Sequence, residues 1–177
     1  MESVIFHLAF PVADIEQTKA FYVEGLGCEA GREMPEALIL KLYGHQLVAH
    51  VTDEENLVPQ KGIYPRHFGL IFTEEADWET LRDRSHEKGL SFYTEPKRRF
   101  GGTPLEHLTF FLEDPFGNLL EFKFYVDPDA IFGVQELPLI GDRPGGDSSS
   151  SIESQEAAAQ TEETETEEIE PESQSQS

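Results

Sequence analysis

Three histidines and one glutamate stand within short apolar stretches, where a polar side chain is the exception. His7 lies in FHLAF, His50 ends QLVAH, His67 begins HFGLIF and Glu121 lies in LLEFKFY. Imidazole and carboxylate groups are ligands of Fe(II), Mn, Ni and Zn. Two histidines with one carboxylate leave open positions on the ion, where a substrate or O₂ can bind. These residue types therefore suggest a divalent metal site.

The alternation of residues along each stretch indicates which side chains could converge. Successive side chains of a strand point to opposite faces. In all four stretches the large apolar residues share one face, and the histidine or glutamate stands on the other among small or medium residues. We expect helices to cover the apolar faces and the opposite faces to line a cavity. His107 has the same cavity-facing parity as Thr109 and Phe111, which makes it a candidate acid/base or substrate contact.

These residues occupy corresponding places in a repeated order of elements. The first half predicts a strand, a helix and three strands, over 6–12, 14–27, 28–32, 37–43 and 47–51. The second half repeats that order, over 67–72, 76–89, 90–94, 108–113 and 119–125. His7 and His67 occupy the same place in the two copies. The pattern predicts an α+β fold of two paired βαβββ modules, about 4–53 and 65–126, with a concave site between them.

Much of the acidity of the chain lies at its C-terminal end. Of the net charge of −22, residues 142–177 contribute −10, from 11 acids and one arginine, and they contain no aromatic residue. Such a segment cannot bury enough apolar surface to offset the entropy lost on ordering, so we predict that it is disordered. The globular domain is expected to span residues 1–141. The tail fits either an interaction segment or a solubilising appendage.

The remaining composition excludes several classes of function. Residues 1–141 hold 24 acids against 12 bases, which disfavours binding to nucleic acid or to an anionic membrane. Cys28 is the one cysteine, so no internal disulfide can form. The N-terminus has neither the basic segment of a signal peptide nor the long apolar run of a membrane span. We expect a soluble, cytoplasmic protein whose partner is a small molecule.

Three stretches resemble, in the correct order, the strand–helix and terminal strand motifs of the vicinal oxygen chelate superfamily. They are FHLAFPVADIEQTKAFYVEGLG, RHFGLIF and FFLEDPFGNLLEFKFY, and the resemblance covers nearly all of residues 4–126. That superfamily includes glyoxalase I, extradiol ring-cleaving dioxygenases, fosfomycin-resistance enzymes and bleomycin-binding proteins. Within it, GHQLVAH, HFGLIF and GTPLEHLTFFLEDPFGNLLEFKFY are most similar to small bacterial proteins described as predicted extradiol-type dioxygenases.

The resemblance implies an open barrel of paired βαβββ modules with a metal held by His7, His67 and Glu121. It also implies that His50 takes the place of a fourth ligand, which is a glutamate in glyoxalase I. A histidine there removes the carboxylate that moves the substrate proton in glyoxalase chemistry. We therefore expect His50 as an extra ligand or as a nearby acid/base. Fe(II) is the first expectation for the ion, with Mn(II), Ni(II) and Zn(II) as alternatives. Family members exchange modules between subunits, so a homodimer is a further expectation.

Three functions are consistent with these residues. The first is a metal-dependent, dioxygenase-like oxidoreductase acting on a small, catechol-like substrate. The second is a glyoxalase I-type lyase. The third is a metal-free binding or resistance protein, in which the same side chains only line a groove. The segment 96–107 is expected to be a charged surface loop at the cavity mouth, where Arg98 or Arg99 could pair with an anionic substrate group.

Overall fold

The elements of the fold follow the predicted order βαβββ, twice. The computed structural model describes residues 4–58, 60–137 and 139–141, so the predicted disordered tail lies outside the described residues. The first module contains β1 His7–Val12, α1 Ile15–Thr18 continued by a π-helix Lys19–Gly25, β2 Glu29–Met34, β3 Ala37–Leu42 and β4 His45–Val51. The second contains β5 Phe68–Phe72, α2 Glu75–Glu87, β6 Phe92–Arg99, β7 His107–Glu113 and β8 Leu119–Tyr125. Short 3₁₀ helices lie at Glu54–Asn56 and Pro128–Ile131.

Each module forms one open sheet of four strands. The strand order is β1-β4-β3-β2 in the first sheet and β5-β8-β7-β6 in the second. The pairs β1–β4 and β5–β8 are parallel, and the other pairs are antiparallel. The predicted α+β fold of two βαβββ modules is confirmed, with open sheets rather than a closed barrel.

The two helices occupy the same place in their modules but differ in regularity. Asp14 has an extended backbone and caps the first helix, because its carboxylate accepts a hydrogen bond from the Gln17 N–H at 2.7 Å. After one turn this helix widens into the π-helical segment. In contrast, α2 is regular over 13 residues. It ends just before Gly89, whose φ of +64° suits a residue without a side chain.

The helices cover one face of each sheet, and the covered faces share one apolar core. Phe10 and Val12 of β1, and Leu120 and Phe122 of β8, are at most 5% exposed. These are the residues whose parity predicted a helix-covered face. Burying a side chain of this size stabilises the fold by about 1.5–3 kcal/mol.

Contacts between the modules are both polar and apolar. The Tyr22 hydroxyl donates to Asp114 Oδ2 at 2.9 Å, and Arg84 Nε donates to the Gly25 carbonyl at 2.7 Å. The rings of Phe10 and Phe68 lie 5.4 Å apart, between the edge strands of the two sheets. The uncovered faces of the sheets carry the predicted site residues.

Of the described residues, those up to 133 belong to one compact unit and those from 134 onward belong to a second. In the described part of the second unit the backbone forms a turn, in which the Leu137 N–H donates to the Val134 carbonyl at 3.1 Å. Within the described residues, no helix is long and apolar enough to cross a membrane.

Candidate functional site

His67 and Glu121 form the centre of the candidate site. His67 directly precedes β5, and Glu121 lies on the neighbouring strand β8. Their side chains meet, with His67 Nε2 at 3.0 Å from Glu121 Oε2. The His67 side chain is 27% exposed and that of Glu121 is 11% exposed, so the histidine is the more accessible member of the pair.

The second ring nitrogen of His67 is held by the backbone. Nδ1 lies 2.8 Å from the Ile63 carbonyl oxygen. Because a carbonyl can only accept a hydrogen bond, Nδ1 donates to it. The Glu121 carboxylate is also only an acceptor, so Nε2 carries a proton in this contact and would have to release it to bind an ion. Metal-ligating histidines are oriented in this way, through a hydrogen bond from the nitrogen that does not bind the ion.

Three polar side chains surround the Glu121 carboxylate. Thr109 donates to Oε1 at 2.9 Å, and the Lys123 ammonium lies 3.0 Å from Oε2, the oxygen that also contacts His67. Burial alone would raise the pKa of Glu121, but the hydrogen bond with His67 and the charge of Lys123 outweigh burial and lower it. The same hydrogen bond raises the pKa of His67. Glu121 is therefore an anion near neutral pH, as a metal ligand must be.

Gly69 allows the close approach of β5 to Glu121. The two residues lie opposite each other in the parallel β5–β8 pair. A Cβ on Gly69 would overlap the backbone carbonyl of Glu121. The sequence analysis did not single out Gly69 as a site residue, although a glycine within an apolar strand often marks a close backbone approach.

His7 lies on the uncovered face of the first module, opposite Gln46 of β4. Its Nδ1 is 2.8 Å from Gln46 Oε1, an acceptor, so Nδ1 donates this hydrogen bond and Nε2 is the nitrogen left for an ion. Within residues 4–58, 60–137 and 139–141, no three His, Cys, Asp or Glu side chains come together in a group that could hold a metal ion. One chain therefore does not bring His7 to the His67–Glu121 pair.

The first module has no ligand at the position that corresponds to Glu121. Glu121 lies opposite Gly69, which is two residues after the histidine of its module. The residue opposite the equivalent Ala9 is Val48, which is 9% exposed. A valine side chain has no atom that can bind a cation.

His50 does not match Glu121, and the prediction that placed it there is wrong in register. His50 lies two residues beyond Val48, opposite Pro11. Its counterpart in the second module is Lys123, which lies opposite Ile71. The sequence analysis used parity, which identifies the face of a strand but not the position along it. His50 is exposed on the uncovered face of the first module.

His107 lies on the uncovered face of β7 but is largely covered by neighbours. It is 5% exposed, and its ring lies 5.7 Å from that of Phe100 and 4.9 Å from that of Tyr125. Its Nδ1 is 2.8 Å from the Leu105 carbonyl, and burial lowers its pKa. The strand register places it opposite Tyr125, four residues beyond Glu121. A role for His107 as acid/base or substrate contact stays a prediction.

The basic residues 97–99 belong to β6 and not to a surface loop, which corrects the sequence expectation. Pro96 lies where the β6–β7 register shifts, between Thr94 and Lys97. A bulge on an edge strand accepts a proline because no ladder hydrogen bond is lost there. The strand therefore continues to Arg99.

Arg98 and Arg99, the two candidates for a substrate anion, differ in their surroundings. Arg98 forms an ion pair with Glu106, whose carboxylate also accepts a hydrogen bond from the Gly102 N–H at 2.7 Å. Arg99 pairs in register with His107, so its side chain stands on the uncovered face. Arg98 is thus already bound to a loop carboxylate.

A cavity of about 360 Å³ lies beside His67 where the edges of the two sheets meet. Its walls include Leu8, Pro11, Gln60, Arg66, His67 and Phe116. This volume is at the lower end of the range of small-molecule sites in proteins.

Known proteins share both this sequence pattern and this fold. The family model described as the Glyoxalase/Bleomycin resistance protein/Dioxygenase superfamily matches residues 4–122. The crystal structure of a glyoxalase/bleomycin resistance protein/dioxygenase from Alicyclobacillus acidocaldarius is 40% identical, with a TM-score of 0.69. The match covers 73% of this chain and 96% of that chain. No match was found among curated proteins.

Two more distant structures share the fold. The fosfomycin resistance protein FosX from Listeria monocytogenes is 17% identical, with a TM-score of 0.54 over 70% of this chain and 94% of that chain. The lactoylglutathione lyase from Agrobacterium tumefaciens is 16% identical, with a TM-score of 0.52 over 70% of this chain and 95% of that chain. The family match and the 40% identity carry the assignment: the chain belongs to the Glyoxalase/Bleomycin resistance protein/Dioxygenase superfamily.

Proposed function

We propose that the protein is a metal-dependent enzyme whose small, oxygenated substrate binds on the face that carries His67 and Glu121. The observation that supports this most directly is the form of the pair. Nδ1 of His67 is held by the Ile63 carbonyl, Glu121 is ionised, and His67 Nε2 lies 3.0 Å from Glu121 Oε2. A first-row divalent ion binds a carboxylate and a deprotonated imidazole nitrogen, so an ion bound here would replace the proton on Nε2.

The third ligand in this proposal is His7 of a second copy of the chain. Nδ1 of His7 is hydrogen-bonded, as is Nδ1 of His67, and His7 belongs to no three-residue ligand group within the described part of one chain. A homodimer in which the first module of each copy faces the second module of the other would form two equivalent sites. The proposed macromolecular partner is therefore another copy of this protein.

The ligand set favours a dioxygenase-like reaction on a catechol-like substrate. The set contains two imidazoles and one carboxylate. Val48, at the position that corresponds to Glu121, has no atom that could serve as a fourth ligand. Bound Fe(II), the ion we favour over Mn(II), Ni(II) and Zn(II), would supply open positions to a chelating diol and to O₂. Thr109 orients the carboxylate, and the Ile63 carbonyl orients His67, so the protein holds its ligands before the substrate arrives.

A glyoxalase I-type lyase fits this geometry less well. That reaction needs a carboxylate to move a proton from a substrate carbon. The corresponding position holds Val48, and the residue opposite His7 is Gln46, whose amide is not a base.

A metal-free binding protein is the second candidate, and one contact favours it. The Lys123 ammonium lies 3.0 Å from Glu121 Oε2, so the carboxylate charge is already balanced in the absence of an ion. In that case the same face would bind a small molecule without turnover.

The first experiment measures the metal content of protein purified without chelator. We expect stoichiometric metal in the wild type and in the control variant His45→Ala, and loss of metal in His67→Ala. His45 is a suitable control because it lies at the start of β4, away from the His67–Glu121 pair, and its Nδ1 accepts a hydrogen bond from the Phe6 backbone N–H at 3.3 Å. A wild type without stoichiometric metal would contradict the enzyme and support the binding protein.

A second experiment tests the shared site. His7→Ala and His67→Ala should each abolish metal binding, whereas co-expression of the two variants should restore about one quarter of the sites, because half of the dimers are mixed and each mixed dimer has one intact site. If all ligands came from one chain, the mixture would bind no metal.

The third experiment identifies the reaction. Fe(II)-loaded protein should consume O₂ in the presence of at least one member of a catechol panel, and His67→Ala should not. Formation of a lactoyl thioester from a hemithioacetal, without O₂ uptake on any diphenol, would move the assignment to a lyase.

A further inference from the structure

Three cationic side chains share the uncovered face of the second module with Glu121. Lys97 of β6 lies opposite Thr109 of β7, which in turn lies opposite Lys123 of β8. Lys97, Thr109 and Lys123 form one row across the sheet. Arg99, opposite His107, stands in the next row. Paired residues of antiparallel strands point to the same face, so the three cations lie beside the proposed metal ligand.

Within the described residues, Lys97 has no carboxylate partner of its own on this face. Glu121 is the one carboxylate in the three rows that contain it and these cations, and it already bonds to His67, Thr109 and Lys123. Lys97 makes no hydrogen bond or ion pair with any residue in the described part of the chain. Partial burial and the nearby charge of Arg99 lower the pKa of Lys97. An anion on this face would relieve that crowding of positive charge.

A cluster of Lys97, Arg99 and Lys123 is not expected from the acidic composition of the chain. The chain has 13 Lys and Arg against 35 Asp and Glu. With acidic residues in such excess, a lysine without an acidic partner is unexpected. The first module shows the usual arrangement. Its strand lysine, Lys41, stands on the uncovered face opposite Gln46 and donates to Glu29 at 2.8 Å.

We infer that Lys97 and Lys123 form an anion subsite, which selects substrates that carry a carboxylate or a phosphate-like group beside their metal-chelating oxygens. This inference rests on the proposed function, since it specifies which substrates that site takes. Lys97 and Lys123 are two strands apart, about 10 Å between backbones, with Thr109 between them. An anionic group above Thr109 is within reach of both ammonium groups.

Metal binding and anion binding should reinforce each other on this face. Lys123 contacts Glu121 Oε2 at 3.0 Å, where a cation held by Glu121 would compete with it. When the carboxylate binds an ion, the ammonium loses its partner and becomes available to the substrate anion.

Calorimetric titration can test the subsite separately from catalysis. The ligands are catechol, which is neutral, protocatechuate, which adds a carboxylate to the same diol, and inorganic phosphate. Each is titrated into chelator-treated protein and into Zn(II)-treated protein, in the wild type and in Lys97→Gln, Lys97→Arg and Lys41→Gln. Thermal unfolding checks that every variant is folded.

We expect the wild type to bind protocatechuate at least tenfold more tightly than catechol, and to bind it more tightly with Zn(II). Lys97→Gln should weaken protocatechuate binding about fivefold to tenfold, Lys97→Arg should restore most of it, and neither should change the affinity for catechol. Phosphate should compete with protocatechuate but not with catechol. Lys41→Gln should have no effect on any ligand.

Equal affinity of the wild type for catechol and protocatechuate would overturn the inference, as would the absence of binding by both. Equal losses of protocatechuate affinity in Lys97→Gln and Lys41→Gln would also overturn it. The affinity would then depend on the net charge of the protein and not on the position of the lysine. If the protein holds no metal but the chelator-treated form still prefers protocatechuate in a Lys97-dependent manner, the proposed enzyme fails and the anion subsite stands.

Discussion

The two modules share one order of elements but carry different chemistry on their uncovered faces. In the first module His7 is hydrogen-bonded to the neutral amide of Gln46, and the position that corresponds to Glu121 is held by Val48. In the second module His67 meets the ionised carboxylate of Glu121 directly. In the proposed metal site, the repeated scaffold would therefore contribute unequally, with one ligand from the first module and two from the second.

One backbone position next to Glu121 also differs between the modules. The second module has Gly69 where the first has Ala9, each two residues after its histidine. Without a Cβ at Gly69, the strand lies close to the Glu121 backbone, and the buried carboxylate is held next to His67. The first module holds no buried carboxylate at that point and accommodates an alanine.

The largest expected effect comes from exchanging these two residues. Gly69→Ala should lower the free energy of unfolding by about 3 kcal/mol or more, because the new methyl group overlaps the Glu121 carbonyl and the strands must separate. Ala9→Gly should cost about 0.5–1 kcal/mol, the usual price of a glycine within a strand. Chemical denaturation measures the free energy of unfolding of both variants. Equal decreases would show that the two modules do not differ in how closely the strands approach at Gly69 and Ala9.

The next effect concerns the turns between the last two strands of each module. The β7–β8 turn is organised by Asp114, whose carboxylate accepts hydrogen bonds from Phe116 N, Asn118 N, Asn118 Nδ2 and the Tyr22 hydroxyl. The corresponding β3–β4 turn at Tyr43 and Gly44 has positive φ angles and no such side chain. Burial raises the pKa of Asp114 although its hydrogen bonds oppose the change.

Asp114→Asn should lower the free energy of unfolding by about 1–3 kcal/mol, because an amide offers one acceptor oxygen and places its NH₂ against buried donors. Tyr22→Phe removes a single hydrogen bond and should cost about 1 kcal/mol. Denaturation of both variants at neutral pH measures these values. If Tyr22→Phe lost more free energy of unfolding than Asp114→Asn, Asp114 would not act mainly by organising the turn.

A smaller effect is expected in the pH dependence of stability. Burial lowers the pKa of His107 in the folded protein below its ordinary value of 6.5. The unfolded chain therefore binds a proton first as the pH falls, and the stability that His107 contributes above pH 6.5 is lost as the pH falls through its folded pKa. His107→Phe keeps an aromatic ring between Phe100 and Tyr125 and should reduce this loss.

The measurement is the free energy of unfolding between neutral pH and pH values below the folded pKa of His107. His67 contributes in the opposite sense, because its hydrogen bond with Glu121 raises its pKa and the associated stability is lost as the pH rises. The variant His107→Phe therefore isolates one of two opposing contributions. Identical pH profiles for the variant and the wild type would show that burial of His107 has no consequence for stability.

The smallest effect is expected for the strand lysine of the first module. Lys41 and Glu29 form an ion pair with exposed side chains, 56% and 74%, so water screens their attraction. Lys41→Gln should change the free energy of unfolding by less than about 0.5 kcal/mol, and high salt should reduce even that difference. A larger, salt-independent loss would show that Lys41 has a structural role in β3.

Much of the fold could be predicted because the relevant patterns are local. The alternation that put Phe10 and Phe122 on covered faces identified the strands and their orientation toward the helices. Asp14 and Gly89 marked helix ends through capping preferences. The charges and glycines of the segment 96–107 predict a surface loop, whereas β6 continues past Pro96 through a bulge that has no clear local pattern.

The candidate site was predicted only in part, and the missing element was register. His67 and Glu121 were expected on one face, and the structure brings them into contact. His50 was expected beside them, but its strand places it opposite Pro11, two residues beyond Val48. A one-dimensional pattern of period two is unchanged by a shift of two residues, so it could not detect this difference.

By itself, the sequence determined the family, the order of the elements, the covered and uncovered faces and the residue types available for a metal. These depend on motifs and alternation within short segments. Only the tertiary structure decided that Glu121 has no counterpart ligand in the first module, that Gly69 sets its approach to β5, and that Lys97 lies in one row with Lys123. Each of these depends on how strands far apart in the chain pair with one another, and that pairing is fixed by hydrogen bonds and packing that no local segment contains.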